Sequence, residues 1–202
     1  MRIKTLALIL LISQVLIACS TPEQKAETTT PPPDSTEPIT SDGVAMEPVK
    51  VNLLAKSGSN LDGTATFSQE GDSIKFVLEV ENAPPGEHAV HLHETGDCSA
   101  PDATSAGSHW NPTSMDHGHL GNTDEAHLGD IGNFMVGEDG KGTIEFTTDK
   151  WSMGGGDNSI FGKAVIIHEK ADDYKTQPTG DAGGRIGCGV IESAPSDPRP
   201  SL

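Results

Sequence analysis

The chain predicts an all-β domain, a sandwich or barrel of about eight strands. Short runs rich in β-branched residues recur at regular spacing. Turn-forming clusters separate them, and no helical period of useful length occurs beyond the N-terminal segment. The first four strands are expected at Val49–Leu54 (VKVNLL), Thr64–Ser68, Ile74–Val80 and Ala89–His93, with SGSN, QEGD and APPGE between them as turns. Gly132–Val136 and Gly142–Thr147 flank EDGK, whose Asp-Gly pair marks a hairpin. Gly162–His168 and Arg185–Ile191 complete the set. Between His93 and Gly132 runs a long polar stretch with little strand character. A loop of that length inside a compact domain is either functional or tied down.

The segments outside this domain read differently. Arg2 and Lys4 precede the apolar run TLALILLISQVLI, too short to span a bilayer comfortably and typical of an export signal. It ends in LIAC, Leu16 to Cys19, which resembles the lipobox of bacterial lipoproteins. That resemblance implies cleavage before Cys19, with lipid attached to it, although an ordinary signal peptide with a free cysteine stays open. Lipid chains hold a protein by burying methylenes, at about 0.8 kcal/mol each. Residues 19–46 are rich in Ser, Thr, Pro and Glu and nearly devoid of apolar residues, so a disordered tether is expected. The folded domain then covers 47–195, after a signal at 1–18, and leaves a short tail at 196–202.

The net charge of −17 argues against nucleic acid as a partner, since phosphate binding needs a cationic surface. It does not exclude a small anion, because the local field at a site matters more than net charge. With Cys19 assigned to the lipobox, Cys98 and Cys188 remain. An even pair in an exported domain favours a disulfide.

All eight histidines lie in the folded part, at positions 88, 91, 93, 109, 117, 119, 127 and 168. On a strand His91 and His93 project from the same face. Paired imidazoles of this kind suit copper or zinc, though HxH alone is a weak signal. His109, His117 and His127 follow in the long loop, with Asp130 three residues after the last. Three imidazoles and a carboxylate make a four-coordinate zinc set and would tie the loop down. His168 closes a strand in AVIIHE, and the inventory then fills two sites rather than one.

HLHETGDCSAPD, SAGSHWNP, HLGDIGN, GKAVIIHEKADDY and GDAGGRIGCGVI, in that order, resemble the copper/zinc superoxide dismutase family in its bacterial exported form. The match spans about Val49 to Ile191. It implies a Greek-key β-sandwich or barrel of immunoglobulin-like architecture with long metal-binding loops. It implies dismutation of superoxide anion to O2 and hydrogen peroxide, with copper alternating between two oxidation states. By motif, His91, His93, His109 and His168 would hold copper. His109, His117, His127 and Asp130 would hold zinc, with His109 bridging. Asp172 would link a copper histidine to a zinc histidine, and Cys98–Cys188 would be the family disulfide. Arg185 would be the active-site arginine that receives the anion. Lys170 and Thr179 match positions that guide the anion and narrow its channel.

The chain departs from the pattern in places. His117 to His127 is one residue longer than the family spacing, and His119 falls in the added region, so His119 could replace His117 as a ligand. His88 is expected to bond to nearby backbone. The segment after His168 is short, which alters the channel rim. A non-catalytic copper- or zinc-binding protein of the same fold is the competing reading. The expected place is the cell envelope, held by lipid on Cys19 at the outer membrane facing the periplasm or at the cell surface. A homodimer stays open.

Overall fold

The computed structural model describes residues 46–122 and 125–193. The expected signal segment, Cys19, nearly all of the tether and the tail 196–202 lie outside the described residues. Eight strands occur: β1 Val49–Ala55, β2 Asp62–Glu70, β3 Ser73–Glu81, β4 Gly86–His93, β5 Asp130–Val136, β6 Gly142–Thr148, β7 Ala164–His168 and β8 Arg185–Val190. A 3-10 turn at Thr104–Ala106 lies in the loop between β4 and β5.

The strands close into a barrel in the order β1-β2-β3-β6-β5-β4-β7-β8. Every pairing is antiparallel. The jumps from β3 to β6 and from β4 to β7 are the Greek-key crossovers. Two seams are thin. β5 meets β6 only at Val136–Gly142, and β1 meets β8 only at Leu54–Cys188 and Ala55–Gly187. The described strands thus form a closed barrel with two weakly paired seams.

Alternation fills the interior. Phe67 on β2 and Ile74, Phe76 and Leu78 on β3 are fully buried, while Lys75 and Glu79 point outward. Phe67, Phe76 and Trp151 form one aromatic cluster with centroids 5.1 to 6.2 Å apart. Trp151 also donates its indole N–H to the Leu128 carbonyl at 2.8 Å, which ties the long loop to the core. In the β5–β6 hairpin, Gly140 adopts φ 76° and the Gly137 N–H bonds the Lys141 carbonyl at 2.9 Å, so the Asp-Gly signal marks a real turn. β7 starts at Ala164 rather than Gly162, because Gly162 sits at φ 74° and turns the chain instead of extending it.

β4 and β7 do not alternate in burial. Val90, Leu92, Val165 and Ile167 face the core, yet His91, His93, Ala164 and Ile166 on the other face are buried too. The long loop covers them. It runs beside β4 through Trp110 N–H to Leu92 O, Leu92 N–H to Gly129 O and Gly129 N–H to Trp110 O, at 2.9 to 3.0 Å. Ala103, Ala106, Ala164, Ile166 and Cys188 form a second small core beneath it. The Cys98–Cys188 disulfide fastens the loop to β8, with the Cα atoms 5.8 Å apart. Lys56 adds a bond from its ammonium to the Cys98 carbonyl at 2.5 Å.

Candidate metal centre

Two groups of side chains meet on the outer face of β4, beneath the loop. His91, His93, His109 and His168 form one, and His109, His117, His127 and Asp130 form the other. Within each group the candidate ligand atoms lie within 4.8 Å of one another, and all these residues are buried. Strand geometry supplies His91 and His93 from β4, His168 from the end of neighbouring β7, and Asp130 from the start of β5. The loop supplies the rest.

The second group is arranged around one oxygen. Asp130 Oδ1 lies 2.8 Å from His109 Nδ1, 3.0 Å from His117 Nδ1 and 3.2 Å from His127 Nδ1. Around bonds of roughly 2.0 Å, tetrahedral neighbours stand about 3.3 Å apart, so the spacings to Asp130 Oδ1 are close to those of the edges that meet at one corner of a zinc tetrahedron. The other carboxylate oxygen, Oδ2, accepts the N–H groups of Gly118 at 2.9 Å and His127 at 3.1 Å, which fixes the carboxylate plane.

In the first group the ring nitrogens are sorted by what lies behind them. His91 Nε2 donates to Asp172 Oδ2 at 2.7 Å, which frees its Nδ1. His93 Nδ1 donates to the Gly107 carbonyl at 2.9 Å, which frees its Nε2. His93 Nε2 and His168 Nε2 then face each other at 3.4 Å. Asp172 reaches both groups, since its Oδ1 also accepts from His117 Nε2 at 2.9 Å. Such partners fix the tautomer and orientation of a ligating imidazole.

The donor set fits bound cations. Nδ1 of His91, Nε2 of His109 and Nδ1 of His117 and His127 are buried without a hydrogen-bond partner. The last two are close to Asp130 but not aligned for a hydrogen bond. Each unsatisfied buried polar atom costs about 1–3 kcal/mol, and several at one spot require a common acceptor of their lone pairs. His109 alone belongs to both groups.

The electrostatics favour neutral imidazole at His93, His109 and His168 and a protonated ring at His117 in the metal-free site. Burial pushes His93 and His168 well below the usual histidine range, and charged neighbours add to it. Burial also carries His109 down to about 4, against the opposing pull of Asp130. For His117 burial is outweighed by Asp130 and Asp172, and its pKa rises to about 9. Without metal, a proton on His117 supplies the positive charge that the two carboxylates demand. Burial opposes ionisation of Asp130 and Asp172 as well, but their imidazole partners hold both carboxyls far below the usual range.

The remaining sequence candidates are placed as follows. Arg185 lies beside the first group, opposite His168 in the β7–β8 pairing. Its guanidinium donates to the Ala103 carbonyl at 2.6 Å and the Gly107 carbonyl at 2.7 Å. The Gly107 carbonyl thus holds Arg185 and His93 together. Lys170 and Thr179 are both exposed, Lys170 beside Gly183 and Thr179 just before Gly180. His119 lies outside both groups, its ring edge-on to Tyr174 at 4.9 Å. His88 lies with its ring nitrogens 2.9 and 2.8 Å from the carbonyls of His168 and Pro84.

Several supporting residues escape a sequence reading. Gly180 is one, because a Cβ there would lie 1.8 Å from Asp172 Oδ1 and 2.6 Å from His117 Nε2. Asn133 is another: its amide bonds the Asp172 N–H and carbonyl, both at 2.8 Å. The glycines hint at close packing, but nothing in the sequence says against what.

Comparison with known proteins agrees with this geometry. The pattern of the family described as copper/zinc superoxide dismutase matches residues 61–191, more than half of the chain. The Superoxide dismutase [Cu-Zn] of Deinococcus radiodurans is 38% identical over 156 residues, covering 72% of this chain and 84% of that one. That of Caulobacter vibrioides is 36% identical over 145 residues, covering 69% and 83%. Among solved structures, the clock protein EA4 aligns with TM-score 0.64 at 38% identity, over 73% of this chain and 94% of that one. A SOD-like protein from Bacillus subtilis aligns with TM-score 0.63 at 34% identity, over 70% and 97%. The chain belongs to the copper/zinc superoxide dismutase family. It is an oxidoreductase acting on superoxide, and its cofactors are copper and zinc.

Proposed function

We propose that His91, His93, His109 and His168 hold the copper, and that His109, His117, His127 and Asp130 hold the zinc. Bound copper supplies one-electron chemistry, by which one superoxide is oxidised to O2 and a second, taking two protons, is reduced to hydrogen peroxide, while redox-inert zinc supplies fixed charge. Everything else falls to the chain. His109 directs Nδ1 at the zinc group and Nε2 at the copper group, and Nε2, whenever it is not ligating copper, would be the atom free to take up a proton and hand it to the reduced oxygen. Asp172 keeps the rings of His91 and His117 in the ligating tautomer. Arg185 stays charged at any working pH and receives the anion beside the copper group. Two carbonyls aim its guanidinium, so little rotamer entropy remains to be lost on binding. In this reading exposed Lys170 would add positive charge to the anion's approach, and Thr179 would narrow it.

The observation that carries this reading is the double commitment of the His109 ring: Nδ1 is 2.8 Å from Asp130, and Nε2 is buried without a protein partner. Substituting His109→Ala is expected to strip zinc affinity and weaken the copper site together, as read by metal content after dialysis. Unchanged zinc binding in that variant sinks the bridge. A binding protein without turnover is disfavoured, because Arg185 and the whole copper group are present together.

The envelope reading rests on the LIAC motif and the polar segment that follows it. In it the enzyme is tethered by lipid on Cys19 and removes superoxide at the cell envelope. Cys19→Ser should abolish incorporation of labelled fatty acid and release the protein from the membrane fraction; retention of label would contradict it.

A further inference from the structure

His117 is held by its backbone as well as by its ring. Its N–H donates to Gln177 Oε1 at 2.8 Å, and its carbonyl accepts from Gln177 Nε2 at 3.0 Å. One side-chain amide thereby does for a single loop residue what a neighbouring strand does in a sheet. The need for it is plain from the surroundings. Residues Pro112–Asp116 leading into His117 are exposed, and among the described residues no strand lies between β4 and β5 to pair with them.

A second contact lies alongside. The His119 ring meets Tyr174 edge-on, at 4.9 Å and 88°. The Tyr174 hydroxyl accepts the Asn133 N–H at 3.0 Å, and Asn133 grips the backbone of Asp172. The segment from Asp172 to Gly180 also closes on itself, through Asp173 N–H to Gly180 O at 2.9 Å and Gly180 N–H to Thr176 O at 2.7 Å. It is therefore a compact support, not a loose strap. It meets the zinc-side loop at His117 and again at His119, and it carries the carboxylate that orients rings in both groups.

We propose that Gln177 is a positioning residue for the zinc side of the centre. With Tyr174 as the second contact, it latches the segment after β7 onto His117–His119 and sets how tightly the zinc group closes. This also gives His119 a role: the lengthened loop adds a packing contact rather than a ligand. The proposal rests on the reading of His117 as a zinc ligand.

The test measures zinc dissociation from the full chain by competition with a chromogenic chelator, for wild type, Q177A, Q177M and H117A. The thermal midpoint of each metal-free form is recorded beside it. Gln177 is exposed, and Q177M keeps its length while losing both hydrogen bonds to His117 and a longer one to the Lys175 carbonyl. The latch predicts that Q177A and Q177M each weaken zinc binding about tenfold or more, the scale seen when a partner of a ligand is removed. Their metal-free midpoints should match wild type. Wild-type zinc affinity in both Gln177 variants, with affinity lost in H117A, overturns the latch and leaves the zinc assignment intact. Equal lowering of the metal-free and zinc-loaded midpoints, with affinity unchanged, overturns it in favour of a merely structural contact. Wild-type affinity in H117A removes the ligand reading on which the latch rests.

Discussion

At the scale of single residues, the centre depends on atoms that carry no chemistry of their own. The Gly107 carbonyl accepts from both His93 and Arg185, so one backbone oxygen aligns an imidazole of the first group and the Arg185 guanidinium. Gly107 adopts φ 74°, and a Cβ there would lie 2.6 Å from Glu94 Oε1. With ψ −150° Gly107 lies in a region essentially only glycine adopts, so Gly107→Ala is expected to cost about 1–3 kcal/mol of backbone strain and to turn the carbonyl away from its donors. Denaturation midpoints and anion affinity of the metal-loaded enzyme should both fall; an unchanged anion affinity would detach Arg185 from this carbonyl. The six clustered histidines and Asp130 were legible in the sequence as candidates, because imidazole and carboxylate are among the few side-chain groups that ligate metals. Gly107, Asn133 and Gln177 were not, because Gly107 acts through its carbonyl and the two side-chain amides act on the backbone of other residues, a pairing no sequence pattern marks.

At the scale of elements, strand alternation made β2 and β3 easy to read, and Asp139-Gly140 announced the β5–β6 hairpin. β4 and β7 follow another rule. Their second face is buried under a loop that no periodicity describes, so His91 and His93 could be placed on one face but not under a cover. The disulfide makes that cover part of the barrel. It closes a separation of 90 residues, and chain entropy assigns such a bridge about 4–5 kcal/mol before strain. Replacing both Cys98 and Cys188 with Ser should lower the metal-free stability by up to that amount in denaturant titrations. The loop carrying His109 and Arg185's acceptors should also become more open to proteolysis. A loss below about 1 kcal/mol would mean that the small core around Ile166 and Ala103 holds the loop unaided.

At the scale of the whole molecule, the acidic chain must bring an anion to one cationic spot. With a net charge of −17, the far field repels superoxide, while Arg185 and the bound cations act within roughly one Debye length of the target. If the local field governs encounter, kcat/KM falls as ionic strength rises; a rate that climbs with salt would assign control to the net charge. Buried histidines set a second global property, the pH dependence of the metal-free fold. His93, His109 and His168 are held below the usual value, so the unfolded chain takes up protons first as pH falls below about 6.5. Their contribution is lost from there downward, for His109 through about 4. His117 works the other way: its contribution is full below about 6.5 and lost as pH rises through about 9. Urea midpoints of the metal-free chain should therefore decline on both sides of that value, and a midpoint flat from pH 4 to 9 would contradict the buried-imidazole arrangement.

The shared imidazole is tested most directly by crystallographic anomalous scattering at the copper and zinc absorption edges. Two separate peaks are predicted, copper among His91, His93, His109 and His168, and zinc among His109, His117, His127 and Asp130, with the His109 ring between them. A single peak, or two peaks with His109 turned away from either, would contradict it.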